Sequence, residues 1–296
     1  MKYGFVILNY NNYQDTIECA DSILKIPRTD YTVVIVDNNS ANESFQRLEE
    51  KFGASENITL IKSDKNRGYS GGNNIGIRYL REKGITTIII ATNDTVLHTP
   101  TILDQLDSLD LKNVGLIGPA ICTPEGVRQN PARIKPGLLY FLNLYVYSEW
   151  TFVRGLAYQA IPLLERKRRN YLHDKRASLS AFDPGADLDP SPVYMLHGSF
   201  MILTENFTET IGLLDENIFM FCEEDLLSWQ CEKIGLTRVY LPSISVLHKD
   251  RKSTELVHRE EKKSFIDANN VASLQYVRSK ISIIGFIRCL IKYSMR

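Results

Sequence analysis

The feature that most constrains this chain is the alternation of short β-branched runs with apolar residues at helical spacing. Phe5 to Leu8, Val33 to Val36, Ile58 to Ile61 and Thr87 to Ala91 read as strands. They are rich in β-branched and apolar residues, as strands are when helices cover both faces of a parallel sheet. Between the first two runs, Ile17, Ala20, Ile23 and Leu24 recur at helical spacing, with Asn12 and Asp15 as candidate caps and Pro27 as the stop. A second helix is expected after Gly71 and Gly72, with Ile75, Tyr79 and Leu80 on its inner face, and a third near Pro100. Val193 to Leu203 reads as a strand pair or a strand entering a helix. Glu223 to Lys233 reads as helix, Val239 to Leu241 and Ser243 to Leu247 as extended, and the chain from Glu255 as helical.

With 296 residues, 44% of them hydrophobic, the chain can bury a full core as one large domain with appendages. Lysine plus arginine and aspartate plus glutamate both number 35, so no global charge draws it to nucleic acid, and no nucleic-acid partner is expected. Cys19, Cys122, Cys222, Cys231 and Cys289 are scattered, unlike a zinc site or a disulfide framework, which predicts a reducing, cytoplasmic setting. The start, Tyr3 to Leu8, lacks the features of a secretory signal. No stretch reaches the roughly 18 apolar residues of a membrane-spanning helix.

Ligands of open α/β sheets bind outside the carboxyl ends of the strands. Polar residues follow each of the four runs: Asn9 to Asn11, Asp37 to Ser40, Ser63 to Asn66, and Thr92 to Asp94. Asp37 suits a ribose or a base edge, and equally an Asx turn closing its strand. Asn66 to Asn74 holds three glycines and three asparagines, a composition that lets backbone approach a ligand at a helix start. Asp94 ends an apolar strand, where a carboxylate is costly unless it is paired or on a metal; the alternative is an N-cap for the helix after Pro100.

Taken in order, these segments resemble family 2 glycosyltransferases of GT-A fold, nearest the rhamnosyl- and galactofuranosyltransferases that build bacterial surface glycans. Val6 to Asn11 resembles the opening strand, Val36 to Ser40 the nucleotide-binding motif, and Asn66 to Asn74 the family's Asn-x-Gly-x-x-Gly-Gly-Asn-Asn segment. Gly198 and Ser199 resemble the strand that meets donor and acceptor, and Asp215 to Trp229 the segment bearing the catalytic carboxylate. The resemblance spans roughly residues 3 to 255. It implies a Rossmann-like, mostly parallel α/β sheet over residues 1 to 255, a helical basic insert near 136 to 190, and a helical segment over 256 to 296.

The implied activity is inverting transfer of a sugar from a UDP- or dTDP-sugar to a hydroxyl of a surface polysaccharide, with a lipid-linked acceptor left open. Asn9, Tyr10, Asp37, Asn39, Asn66, Gly68, Gly72, Asn73, Asn93 and Asp94 would hold the nucleotide sugar, while Gly198, Ser199 and Glu223 would meet acceptor or donor sugar. Glu224 would be the base, with Asp225 its competitor. A divalent cation, Mn2+ or Mg2+, would sit on Asp94 and His248. The family usually has Asp-x-Asp at the metal, and here the first carboxylate is Thr92. That departure leaves a weakened, nucleotide-binding relative as one alternative. A sugar nucleotidyltransferase is another, although the segment after the first strand lacks its basic Gly-rich loop.

Residues 278 to 296 contain Arg278, Lys280, Arg288, Lys292 and Arg296 without one acid. Together with apolar residues around Leu138 to Leu164 and Ile281 to Ile291, this predicts either peripheral contact at the inner face of the cell membrane or packing on the core or a second subunit.

Overall fold

The computed structural model describes residues 2–133, 190–249 and 259–294. Most of the basic insert, including Leu138 to Leu164, lies outside the described residues. The first half runs β1 (Tyr3–Asn9), α1 (Tyr13–Ile23), β2 (Tyr31–Asp37), α2 (Ser44–Phe52), β3 (Ile58–Lys62), α3 (Gly68–Glu82), β4 (Thr87–Thr92), β5 (Thr95–Leu97), α4 (Ile102–Asp107) and β6 (Val114–Cys122). The second runs β7 (Ser191–Val193), β8 (Phe200–Leu203), α5 (Glu205–Thr210), α6 (Glu223–Ile234), β9 (Thr237–His248), α7 (Arg259–Lys280) and α8 (Ile283–Ser294).

The sheet follows the order β3-β2-β1-β4-β8-β6-β9-β5, with β7 also on β9. β3, β2, β1 and β4 are parallel, as the sequence predicts. β8 then enters antiparallel between β4 and β6, and β9 runs parallel to β6. Alternation along each strand splits the core between two faces. Phe5, Ile7, Val33 and Ile35 pack with Ala20 and Ile23 of α1 and Leu103 of α4, whereas Val6, Val34 and Val36 pack with Ile77 and Leu80 of α3 and Phe207 of α5. The result is three layers, helix on sheet on helix.

The α1 start agrees with its expected cap: Asn12 accepts a hydrogen bond from the Asp15 backbone N–H at 3.3 Å. α3 does not start after Gly71 and Gly72 but at Gly68, a turn earlier. Its glycines face β1, and a Cβ on Gly72 would lie 2.5 Å from a Leu8 methyl, one on Gly76 2.6 Å from a Val6 methyl. Close helix-to-strand packing therefore accounts for Gly72 and Gly76. Val239 to Leu241 and Ser243 to Leu247 join into one strand, β9, whose register against β6 shifts across Pro242.

Strand register builds one rim. Asn9 pairs with Asp37 and Leu8 with Thr92, the Thr92 N–H donates to the Ser199 carbonyl at 2.8 Å, and Thr95 pairs with His248. Below it, α7 and α8 pack on α6, with Trp229 among Val277, Ile281 and Phe286. The Trp229 indole N–H donates to the Lys280 carbonyl at 3.0 Å.

Candidate active site

At the carboxyl end of β2, Asp37 is almost fully buried. Its Oδ1 accepts from the Ser40 backbone N–H at 2.9 Å, and its Oδ2 from the Ser40 hydroxyl and the Asn9 amide, both at 2.6 Å. This is the Asx turn that the sequence allowed, and the carboxylate shapes the loop carrying Asn39, which is exposed with φ +63°. Asn9 is fully buried and also accepts from the Thr16 hydroxyl at 2.7 Å. Its side chain is thus held among Asp37, Ser40 and Thr16. Tyr10, beside it, is 36% exposed at the rim.

The Asn66 to Asn74 segment is tied down by its asparagines. Asn66 Oδ1 accepts from the Gly68 N–H and the Asn38 amide, both at 2.9 Å, and Asn38 accepts from the Arg67 N–H at 2.9 Å. Gly68 has φ +67°, and a Cβ there would fall 2.0 Å from the Phe219 carbonyl oxygen. Asn74 clasps Leu214 through both amide atoms, at 2.9 Å each. Asn73 donates to the Tyr69 carbonyl at 3.0 Å, and its buried Oδ1 is without a partner. Gly72 packs closely against Leu8 and Asn38.

Asp94 is 8% exposed just beyond β4 and caps no helix, since Thr101 precedes α4. Thr92 donates its hydroxyl to Asp94 Oδ1 at 2.7 Å, while Asp94 Oδ2 lies 3.3 Å from His248 Nε2. Gln129 Oε1 faces His248 Nδ1 at 2.6 Å. An amide oxygen only accepts, so Nδ1 is protonated and Nε2 is the nitrogen presented to Asp94. Burial raises the Asp94 pKa, but the hydrogen bond and charge of His248 and the Thr92 hydroxyl outweigh it, holding the carboxylate below its ordinary range. Asn93 donates to the Asn12 carbonyl and the Thr16 hydroxyl at the start of α1, at 3.0 and 3.1 Å.

A hard divalent cation fits this pair. Metal bonds of about 2.1 Å place neighbouring octahedral ligands about 3 Å apart, close to the 3.3 Å between Asp94 Oδ2 and His248 Nε2. Among the described residues no three His, Cys, Asp or Glu side chains form such a cluster. Magnesium is held by one or two carboxylates with substrate phosphates and water, so the Asp94 carboxylate suits it, while the His248 imidazole suits a transition metal better.

The acidic segment opens α6. Phe221 and Cys222 precede it with φ +71° and +66°, two left-handed residues that are not glycine. Such backbone costs of order 1–3 kcal/mol per residue and concentrates at functional sites. Glu223, Glu224 and Asp225 then fill the first helical turn, where the macrodipole favours carboxylates. Glu224 Oε1 accepts from the Gly198 N–H at 3.0 Å, and a Cβ on Gly198 would sit 2.7 Å from that oxygen. The buried Tyr69 hydroxyl donates to the Gly198 carbonyl at 2.6 Å. Burial, then the charge of Glu224, pushes the Glu223 carboxyl up to about 8. Asp225 is half-buried at the third position of the helix.

Residues 197–199 join the two halves of the site. Ser199 is 4% exposed, its carbonyl binds Thr92, and its hydroxyl lies 2.9 Å from His197 Nδ1. The His197 ring sits 5.5 Å from that of His248. Gly198, between them, holds Glu224.

The sequence profile of glycosyl transferase family 2 matches residues 5–163, more than half of the chain. The chain belongs to glycosyl transferase family 2. Among curated relatives, the low-salt glycan biosynthesis hexosyltransferase Agl10 of Haloferax volcanii is 24% identical, covering 96% of this chain and 82% of its own. An N-acetylglucosaminyl-diphospho-decaprenol L-rhamnosyltransferase of Mycobacterium tuberculosis is 27% identical over 75% of this chain and 68% of its own. A crystal structure of GalNAc-T7 with UDP, GalNAc and Mn2+ aligns with TM-score 0.56 and 14% identity, over 84% of this chain. This family 2 chain spans 44% of that protein. The likeness establishes the GT-A fold expected from the sequence.

Several residues that shape this family 2 site escaped the sequence reading. Tyr69 lies inside the Asn66 to Asn74 segment and could have been read as part of it. His197 adjoins Gly198. Lys249, whose N–H donates to the Asp94 carbonyl at 2.9 Å, follows His248 directly. Gln129 lies in the loop after β6, and nothing local in sequence links it to a histidine 119 residues later.

Proposed function

We propose that this chain is an inverting hexosyl- or rhamnosyltransferase that moves a sugar from a UDP- or dTDP-sugar to a hydroxyl of a surface-polysaccharide acceptor. The observation that carries the reading is that residues 197–199 bring Asp94, His248 and Glu224 to one rim of the sheet. The mycobacterial relative is named for an acceptor on decaprenol diphosphate, which supports a lipid-linked acceptor here.

Asp94 and His248 would hold a divalent cation, which when bound would offset charge on the departing diphosphate. Mn2+ in the GalNAc-T7 structure supports that reading. Thr92 and Gln129 orient the two ligands from behind. The Asp37 loop and the Asn66 to Asn74 segment shape the nucleoside end, with Tyr10 and Asn39 at its edge. Glu224, aimed by the Gly198 N–H, takes the proton of the attacking hydroxyl. Glu223 lies beside it and Asp225 one position further along α6. Attack opposite the leaving group inverts the anomeric centre.

Calorimetric titration with a panel of UDP-, dTDP- and GDP-sugars and Mn2+ tests the donor side. One donor should bind, and Asp94→Ala should weaken it by about tenfold or more. Equal binding by Asp94→Ala would remove the metal assignment. No binding of any nucleotide sugar would sink the whole reading.

A further inference from the structure

α8 is apolar on two opposite sides. Its inner side packs on the body of the protein through Phe286 and Cys289, 1% and 3% exposed. Its outer side carries Ile284, Ile287 and Ile291, which are 67%, 49% and 51% exposed. At about 100° per residue, these three isoleucines form a single stripe, and the exposed Arg288 lies on it as well. In sequence, residues 278 to 296 hold five basic side chains and no acid. One of the five, Lys292, reaches inward to Glu232.

We infer that this outer face of α8 docks on the surface of an anionic lipid bilayer, with the isoleucines in the acyl boundary and the cationic side chains among the headgroups. Charge complementarity selects this occupant over a second copy of the chain. An isologous pairing would set two such stripes, each bearing an exposed Arg288, against one another. A stripe on a 12-residue helix also offers far less than the roughly 800 Å² per partner that a stable interface buries. The helix lies in the plane of the surface, since 12 residues rise only about 18 Å. No helix among the described residues is long and apolar enough to cross a membrane.

Co-sedimentation of the full chain with vesicles of phosphatidylcholine alone, or containing phosphatidylglycerol, tests the inference. The protein should pellet with the anionic vesicles and much less with the zwitterionic ones. Combined Ile284→Ser, Ile287→Ser and Ile291→Ser should lower that partitioning about tenfold or more. Arg288→Glu alone should lower it on anionic vesicles only, and decides the matter if the triple variant unfolds. Wild type left in the supernatant, or equal pelleting of the variants, would overturn the inference. So would a concentration-dependent dimer abolished by the same substitutions. Calorimetric donor binding is independent of vesicles, so failure here leaves the transferase reading standing.

Discussion

Thr92 stands where the resembling pattern has its first carboxylate, and its hydroxyl donates to Asp94 Oδ1. In the proposed metal site it orients the carboxylate that remains, with His248 on the other oxygen. The Glu223 carboxyl shows the cost of its place in the site. The ordinary glutamate value is 4.5, and burial with Glu224 alongside raises it to about 8 in the folded protein. Between those values the folded state holds a proton that the unfolded chain releases, so this residue's contribution to stability falls as pH rises from about 4.5 to 8. Glu223→Gln removes that dependence. Thermal unfolding of this variant should exceed wild type at pH 8.5, with the gap closing toward pH 5; a constant gap would contradict the assignment. At this scale the sequence exposed Asp94, His248 and Glu224 because each follows a recognisable run. The amides of Asn9 and Asn93 both reach Thr16, a contact that no local pattern in the sequence displays.

Among elements, α3 and β9 departed from expectation for opposite reasons. The expected start of α3 fell after Gly71 and Gly72 because sequence does not display the Leu8 methyl that Gly72 makes room for, as Gly76 does for Val6. Gly76→Val should therefore cost about 1–3 kcal/mol in denaturant unfolding, by overpacking against β1. A loss under a few tenths would mean that the helix has slack. In β9, Pro242 read as a break, since proline donates no ladder hydrogen bond. The strand continues because the pairing with β6 is irregular at that point. The parallel strands were legible from the start, as uninterrupted β-branched runs leave few other folds.

For the molecule as a whole, what the sequence withheld was the insertion of β8 between β4 and β6. That placement carries Gly198 and Ser199 to the rim, where Ser199 binds Thr92 and Gly198 binds Glu224. Long-range strand order arises from packing among distant segments, which no local pattern encodes. The most direct test compares wild type with Glu224→Gln for donor binding and for sugar transfer to acceptor. The account predicts binding within about twofold and transfer slower by about 10²–10⁴. Transfer by Glu224→Gln at nearly the wild-type rate would contradict it.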